Sequence, residues 1–264
     1  MARPPARRRF GQHFLEPAWA SRIVEAVDPQ PDQTLLEIGP GHGVMTAPLA
    51  ARAGRLLAVE IDRDLARGLR ARLPAVHLIE ADVLALDLPR LLAAESTPLR
   101  VVGNLPYNVA TPILFRLAGA ARHGTVISDA TLMLQREVAE RLLAAPGTSG
   151  YGALAVQIGL LAEVSRVLNL PPGAFRPAPK VRSAVVRLRF RPPVVDVGEA
   201  SAFERLVRGL FHQRRKTLLN ALRPVAASFG RDPGELLEQA ALDGSRRPGT
   251  LALAEMARLS RAVL

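Results

Sequence analysis

Gly103-Asn104-Leu105-Pro106-Tyr107 is the part of this chain whose residue types could do chemistry together. The target they suit is a planar amine. The lone pair of such an amine is delocalised into its ring, so the nitrogen is a poor nucleophile. The Asn104 side-chain oxygen and the Leu105 carbonyl can each accept one amine hydrogen. That holds the nitrogen and favours pyramidalisation, aiming its lone pair at an electrophilic methyl carbon. Pro106 fixes the turn that points both acceptors inward. Tyr107 offers a face for stacking a flat base. A sulfonium donor loses its charge as the methyl leaves, so no strongly basic residue is required. A base must leave its stack to be reached, and a second aromatic face is therefore expected. Phe175, in Ala174-Phe175-Arg176-Pro177-Ala178-Pro179-Lys180, is the candidate. Phe175 would fit equally well as a core residue beneath this Pro-stiffened, basic loop.

The methyl donor has its own signature upstream. Glu37-Ile38-Gly39-Pro40-Gly41-His42-Gly43 follows an apolar run and leads into a helical pattern from about Val44. Glycine is needed where a backbone turns sharply or a ligand lies against it. Glu60 stands 21 positions after Gly39, where a carboxylate can accept hydrogen bonds from ribose hydroxyls. Asp82 could take an adenine amine or the ribose edge. These features describe an adenosine-bearing cofactor. A dinucleotide fingerprint would need Gly at position 44, which is Val, and Glu37 is a poor neighbour for a pyrophosphate. S-adenosylmethionine (SAM) carries a sulfonium and an ammonium instead, and an acidic residue beside the loop fits that cation better.

These residues need a scaffold. Short apolar runs at Leu35–Ile38, Leu56–Val59, Val76–Ile79, Arg100–Val102 and Thr131–Leu134 read as strands. Helical stretches such as Asp62–Leu73 separate them. The fold class expected is α/β, a parallel sheet with helices on both faces. Ala184–Phe190 alternates apolar and basic residues and reads as an edge or antiparallel strand with one solvated face. After Arg191-Pro192-Pro193 only helical periodicity remains: Phe203, Leu206, Val207, Leu210 and Phe211 share one helix face. The organisation expected is a basic arm and start of the cofactor site at 1–15, a catalytic domain at 16–195, and a small all-α domain at 196–264.

Composition narrows the partners. Hydrophobic residues make up 48% of the 264, enough for a sizeable core. The net charge of +11 points to a polyanion, and the basic residues are almost all Arg, with Lys only at 180 and 216. Arg binds phosphate bidentately and stacks on bases. Absence of Cys excludes disulfides, Cys nucleophiles and Cys-bound iron–sulfur chemistry. No apolar run is long enough to span a membrane, and the N-terminus lacks a secretory h-region.

Phe10–Leu15, Glu37–Gly43, Val59–Asp62, Gly103–Asn108, Leu134–Val138, Phe175–Val186 and Phe211–Thr217, in this order and spacing, resemble the ribosomal RNA adenine dimethyltransferases of the KsgA (RsmA) type. The resemblance implies a Rossmann-like class I SAM-dependent methyltransferase domain followed by a helical one. It also implies N6,N6-dimethylation of two adjacent adenosines in the 3′-terminal hairpin loop of 16S rRNA during small-subunit biogenesis. The expected cofactor wall is Gln12, His13, Leu15, Gly39, Gly41, Glu60, Ile61, Asp82, Val83 and Asn104. The family commonly has Asn where this chain has His13. A neutral His still donates one hydrogen bond, and no carboxylate or His cluster beside it suggests a metal. RNA contact is expected at Arg7, Arg8, Arg9, Arg176 and Lys180, and at Arg214, Arg215 and Lys216, a basic run read as lying on a helix. A cytoplasmic monomer is expected. The competing readings are a 23S rRNA dimethyltransferase of the macrolide-resistance type, a DNA adenine methyltransferase, and a ribosome-assembly binding factor with secondary catalysis.

Overall fold

The structure, a computed structural model, describes residues 12–93, 99–122 and 127–264. The expected site residues Arg7, Arg8 and Arg9 lie outside the described residues. The chain divides into two compact units, one of residues up to 139 with 162–191, the other of 140–161 with 192–264.

The first unit is built on a seven-stranded sheet. Its strands are β2 (Thr34–Ile38), β3 (Arg55–Glu60), β4 (His77–Glu80), β5 (Leu99–Asn104), β6 (Ile127–Gln135), β7 (Ala162–Leu170) and β9 (Ser183–Phe190). The spatial order is β4-β3-β2-β5-β6-β9-β7. The first five run parallel, whereas β9 pairs antiparallel with both β6 and β7. A separate two-stranded ladder joins β1 (Phe14–Leu15) to β8 (Phe175–Arg176). The chain leaves β2 for β3 on one side and returns at β5 on the other, so the order reverses between β2 and β5. Ligands of open α/β sheets bind at that crevice.

Local chemistry sets the element ends. Helix α1 (Pro17–Val27) begins with Pro at its first turn and stops at Asp28, whose left-handed φ of 52° ends the ladder. Helix α3 (Arg63–Arg72) is capped by the Asp62 carboxylate, which accepts from the Asp64 and Leu65 amides. Between them α2 (Thr46–Ala50) is short and starts two residues later than the sequence pattern suggests, and α4 (Leu88–Ala93), α5 (Ala110–Arg122) and α6 (Arg136–Leu142) follow α3 along the chain. Arg100 ties this frame together. It bonds Asp129 at 2.8 Å, Gln33 at 2.9 Å, and the carbonyls of Val27 and Asp28 at the end of α1. With five donors it serves one oxygen of the Asp129 carboxylate and a helix C-terminus at once, while Asp129 Oδ1 stays buried without a hydrogen bond.

β9 is antiparallel, as the sequence suggests, but it is not an edge strand, and of the two Arg residues on its expected solvated face only Arg189 is exposed. It is flanked on both sides, and Arg187 is spent on Thr131 and the Ala26 carbonyl. The edge strand on this side of the sheet is β7, and β4 forms the other edge.

In the second unit α7 (Ala153–Leu161), α8 (Ala200–His212), α9 (Leu218–Ser228), α10 (Pro233–Gln239) and α11 (Leu253–Ala262) enclose Phe203, Leu206, Val207 and Leu210, the stripe expected from the sequence. Phe211 meets Tyr151 edge-to-face at 5.8 Å, and the Tyr151 hydroxyl donates to the Leu251 carbonyl. Residues 140–161 therefore pack with the C-terminal helices. The expected boundary near 195 misses this return, because Ala153–Leu161 is apolar but for Gln157 and finds its cover far along the chain.

Candidate functional site

The turns at the carboxyl ends of β2, β3, β4 and β5, with the segment around β1, surround a cavity of about 290 Å³. Gly39, Gly41 and Gly43 all have positive φ, between 58° and 80°. A Cβ on Gly41 would come within 3.2 Å of the Phe14 ring, and one on Gly43 within 2.7 Å of Leu69 Cδ2. The loop can lie this flat only with glycine. Glu60, at the end of β3, braces it: one carboxylate oxygen accepts from the Gly41 amide at 3.0 Å and the other from the Asp62 amide at 2.9 Å. Burial raises the Glu60 pKa, and those two amide bonds act against it.

All ten residues expected to face the cofactor line this one cavity, as do Leu105, Pro106 and Tyr107. Asn104 ends β5. Its Nδ2 donates to the His13 carbonyl at 2.8 Å. A carbonyl only accepts, so this bond fixes the amide orientation and leaves Oδ1 as the acceptor on the other side. Tyr107 is held twice, through its hydroxyl to Ser183 Oγ at 2.6 Å and by the His13 ring at 5.6 Å between centroids. Burial raises the phenol pKa and the Ser183 bond lowers it. Asp82 turns one oxygen to the Leu84 amide at 2.9 Å and is otherwise exposed.

Two sequence readings are corrected. Phe175 has 0% exposure, packs in the core with Leu15, Ile23 and Val185, and does not line the cavity. Its register opposite Leu15 turns the ring inward, so in this conformation it offers no face to a base. Glu37 is likewise fully buried and absent from the cavity wall. Burial lifts its carboxyl to about 7. The Thr46 hydroxyl is near enough to lower it, and the Glu60 charge raises it. Neither Glu37 oxygen makes a well-formed hydrogen bond.

The sequence reading missed Phe14 and His42, whose rings stand 4.0 Å apart across the Gly loop and line the cavity. Phe14 falls inside the Phe10–Leu15 segment of the family resemblance, but nothing local says that its ring meets the loop.

The basic residues fall in three places. Lys180 is exposed, and Arg176 is paired with Glu16 at 2.9 Å on the surface. Arg214, Arg215 and Lys216 are exposed in the turn between α8 and α9, not on a helix. Arg214 also donates to the Ser149 carbonyl. Among the described residues there is no cluster of His, Asp or Glu that could hold a metal, and no helix is long and apolar enough to cross a membrane.

Comparison with known proteins agrees with this geometry. The sequence profile described as "Ribosomal RNA adenine dimethylase" matches residues 4–236. Ribosomal RNA small subunit methyltransferase A of Xanthomonas oryzae is 47% identical over 226 residues, covering 84% of each chain. The protein of that name from Acinetobacter baylyi is 42% identical over 260 residues, covering 97% of this chain and 91% of the other. Among solved structures, a dimethyladenosine transferase from Plasmodium falciparum superposes with a TM-score of 0.79 at 24% identity, over 94% of this chain and 96% of that one. The 23S rRNA methyltransferase ErmE gives 0.65 at 28% identity, over 95% and 99%.

Proposed function

The chain belongs to the ribosomal RNA adenine dimethylase family, and from that premise we propose that it dimethylates N6 of two adjacent adenosines in the 3′-terminal hairpin loop of 16S rRNA, with SAM as methyl donor. The observation that carries the chemistry is the fixed Asn104 amide. Its nitrogen is committed to His13, so its oxygen is the group offered to an amine. With the Leu105 carbonyl it would take the two amine hydrogens and turn the lone pair toward the methyl carbon. When bound, SAM would supply the methyl group, its carbon–sulfur bond exchanged for the new nitrogen–carbon bond with a neutral thioether as leaving group, and the amine would give up one proton to solvent. Repeating the step on the monomethylated amine gives the dimethyl product.

The residues present fit SAM. Glycines that admit close approach, the Glu60 carboxylate and Asp82 at the strand ends, and an apolar lining from Leu15, Ile61 and Val83 suit an adenosine with a cationic tail. SAM supplies the activated methyl group; the protein supplies orientation and excludes water. For the RNA we assign contact to Lys180, Arg176, Arg214, Arg215 and Lys216, which are exposed. The chain would work as a monomer in the cytoplasm on the small subunit or its precursor. Relatives named for the small subunit reach 42–47% identity, against 28% for the 23S enzyme, so the large-subunit reading is not favoured.

The test is transfer of labelled methyl groups from SAM to small subunits lacking the hairpin methylation, beside large subunits and naked DNA. Dimethyladenosine in small-subunit RNA alone is expected. Label on the large subunit or on DNA would sink the substrate assignment. SAM binding without any transfer would favour an assembly factor.

A further inference from the structure

We infer that the His13 side chain is a positioning residue for the target base and not a cofactor ligand: its Nδ1–H pins the Pro177 loop while its ring props Tyr107. This rests on the methyltransferase reading above and deepens it.

The ladder of β1 and β8 is two residues long, Phe14 opposite Arg176 and Leu15 opposite Phe175. At one end the Glu16 amide donates to the Ala174 carbonyl and Glu16 pairs with Arg176, so it is the other end, toward Pro177, that the short ladder leaves open. The next residue along, Pro177, has no N–H and cannot donate a further rung. It still has a carbonyl, and His13 Nδ1 lies 2.7 Å from that oxygen. A carbonyl only accepts, so Nδ1 carries the proton and is spent there. The side chain thus adds the rung that the backbone cannot. On its flat side the ring stacks over Tyr107, 5.6 Å between centroids and 27° between planes. Tyr107 is tied at its far end to Ser183. Losing the His13 ring would leave that hydroxyl bond as its main anchor.

The backbone and the side chain of His13 therefore do separate work. The main-chain carbonyl fixes Asn104 and survives any substitution. The side chain acts on the two elements placed to meet a base, the Tyr107 ring and the loop after Phe175. This also accounts for the departure from the Asn common at this position. The amide nitrogen of Asn stands two bonds from Cβ, as Nδ1 of His does, so either can reach the Pro177 carbonyl. Only His adds a ring for Tyr107.

Three variants separate the parts. His13→Asn keeps the donor and drops the ring; His13→Phe keeps a ring and drops the donor; His13→Ala drops both. Each is measured by single-turnover methylation of small subunits, SAM affinity by calorimetry, and amide hydrogen exchange over residues 175–182. His13→Ala should slow methyl transfer about tenfold or more, the scale of one lost hydrogen bond with misplacement, while SAM Kd stays within about threefold. Asn and Phe should each recover part of that rate. Exchange over 175–182 should rise in the Ala and Phe variants and not in Asn. A SAM Kd that weakens in step with the rate, or unchanged exchange in every variant, would overturn the inference. Absence of transfer by the unsubstituted protein would count against the methyltransferase reading alone, because the exchange comparison still decides whether the latch exists.

Discussion

Replacing Glu37 by Gln should stabilise this protein more as the pH rises. Glu37 is the penultimate residue of β2, just before the glycine loop. It is fully buried, with the Thr46 hydroxyl of α2 and the Glu60 carboxyl of β3 as the polar groups facing it. Burial lifts its pKa from 4.5 to about 7. Below pH 4.5 the carboxyl is protonated in both the folded and unfolded chains and costs nothing. As the pH rises, the unfolded chain sheds the proton first, so folding has to retain it and stability falls. The fall ends once the folded form ionises, near pH 7. Stability drops by about 1.36 kcal/mol for each pH unit between those two pKa values, so the change between pH 5 and pH 8 is about 2.5 kcal/mol. Gln has nearly the same shape and does not titrate. The assay is urea unfolding of both proteins at pH 5, 6, 7 and 8. Glu60, also raised by burial, titrates in both and cancels to first order. The stability difference, Gln minus Glu, should grow by about 2.5 kcal/mol across that range. A difference that stays flat within about 0.5 kcal/mol would refute the reasoning, since Glu37 would then ionise as an ordinary carboxyl.

Asn104→Ala removes both the acceptor proposed for the amine and the tie to His13. Methyl transfer should fall about 100- to 1000-fold, with SAM binding by calorimetry retained within about tenfold. A comparable loss of SAM binding would make Asn104 a cofactor residue first. Replacing Arg215 and Lys216 together by Ala should weaken RNA binding and lower the slope of log affinity against log salt by about 2, with SAM affinity unchanged. An unchanged slope in a filter-binding titration would show that this turn is only a solvated surface.

Much of the frame is written in local pattern. Apolar runs such as Leu56–Val59 sit in strands because their side chains are buried on both faces, and a parallel sheet leaves that mark. The glycine loop and the Asn104–Tyr107 motif are legible for a similar reason, since each needs residue types that few others can replace. What could not be read depends on distant partners. β7 carries Glu163, Ser165, Arg166 and Asn169 and is not among the strands read from the sequence, because as an edge strand it has one neighbour and much water. Ala153–Leu161 shows no polar face from which to read a helix, and its cover comes from residues beyond 191. Phe175 has a motif's spacing, yet its side chain is decided by the register of β8 against β1. Arg187 looks like a solvated charge until Ala26 and Thr131 are brought to it.

The position of β9 bears on how the enzyme comes into being. The last strand to be synthesised enters the sheet between two earlier ones, β6 and β7, and closes both. In a nascent chain that has reached residue 170 the β6 and β7 edges that β9 will cover are still unpaired, each a template for association with another chain. The first residue of β9 is Ser183, the anchor of Tyr107. Until translation has passed residue 190 the protein is therefore exposed to misassembly and Tyr107 lacks its hydroxyl anchor. Closure of the sheet and completion of the active site are one late event.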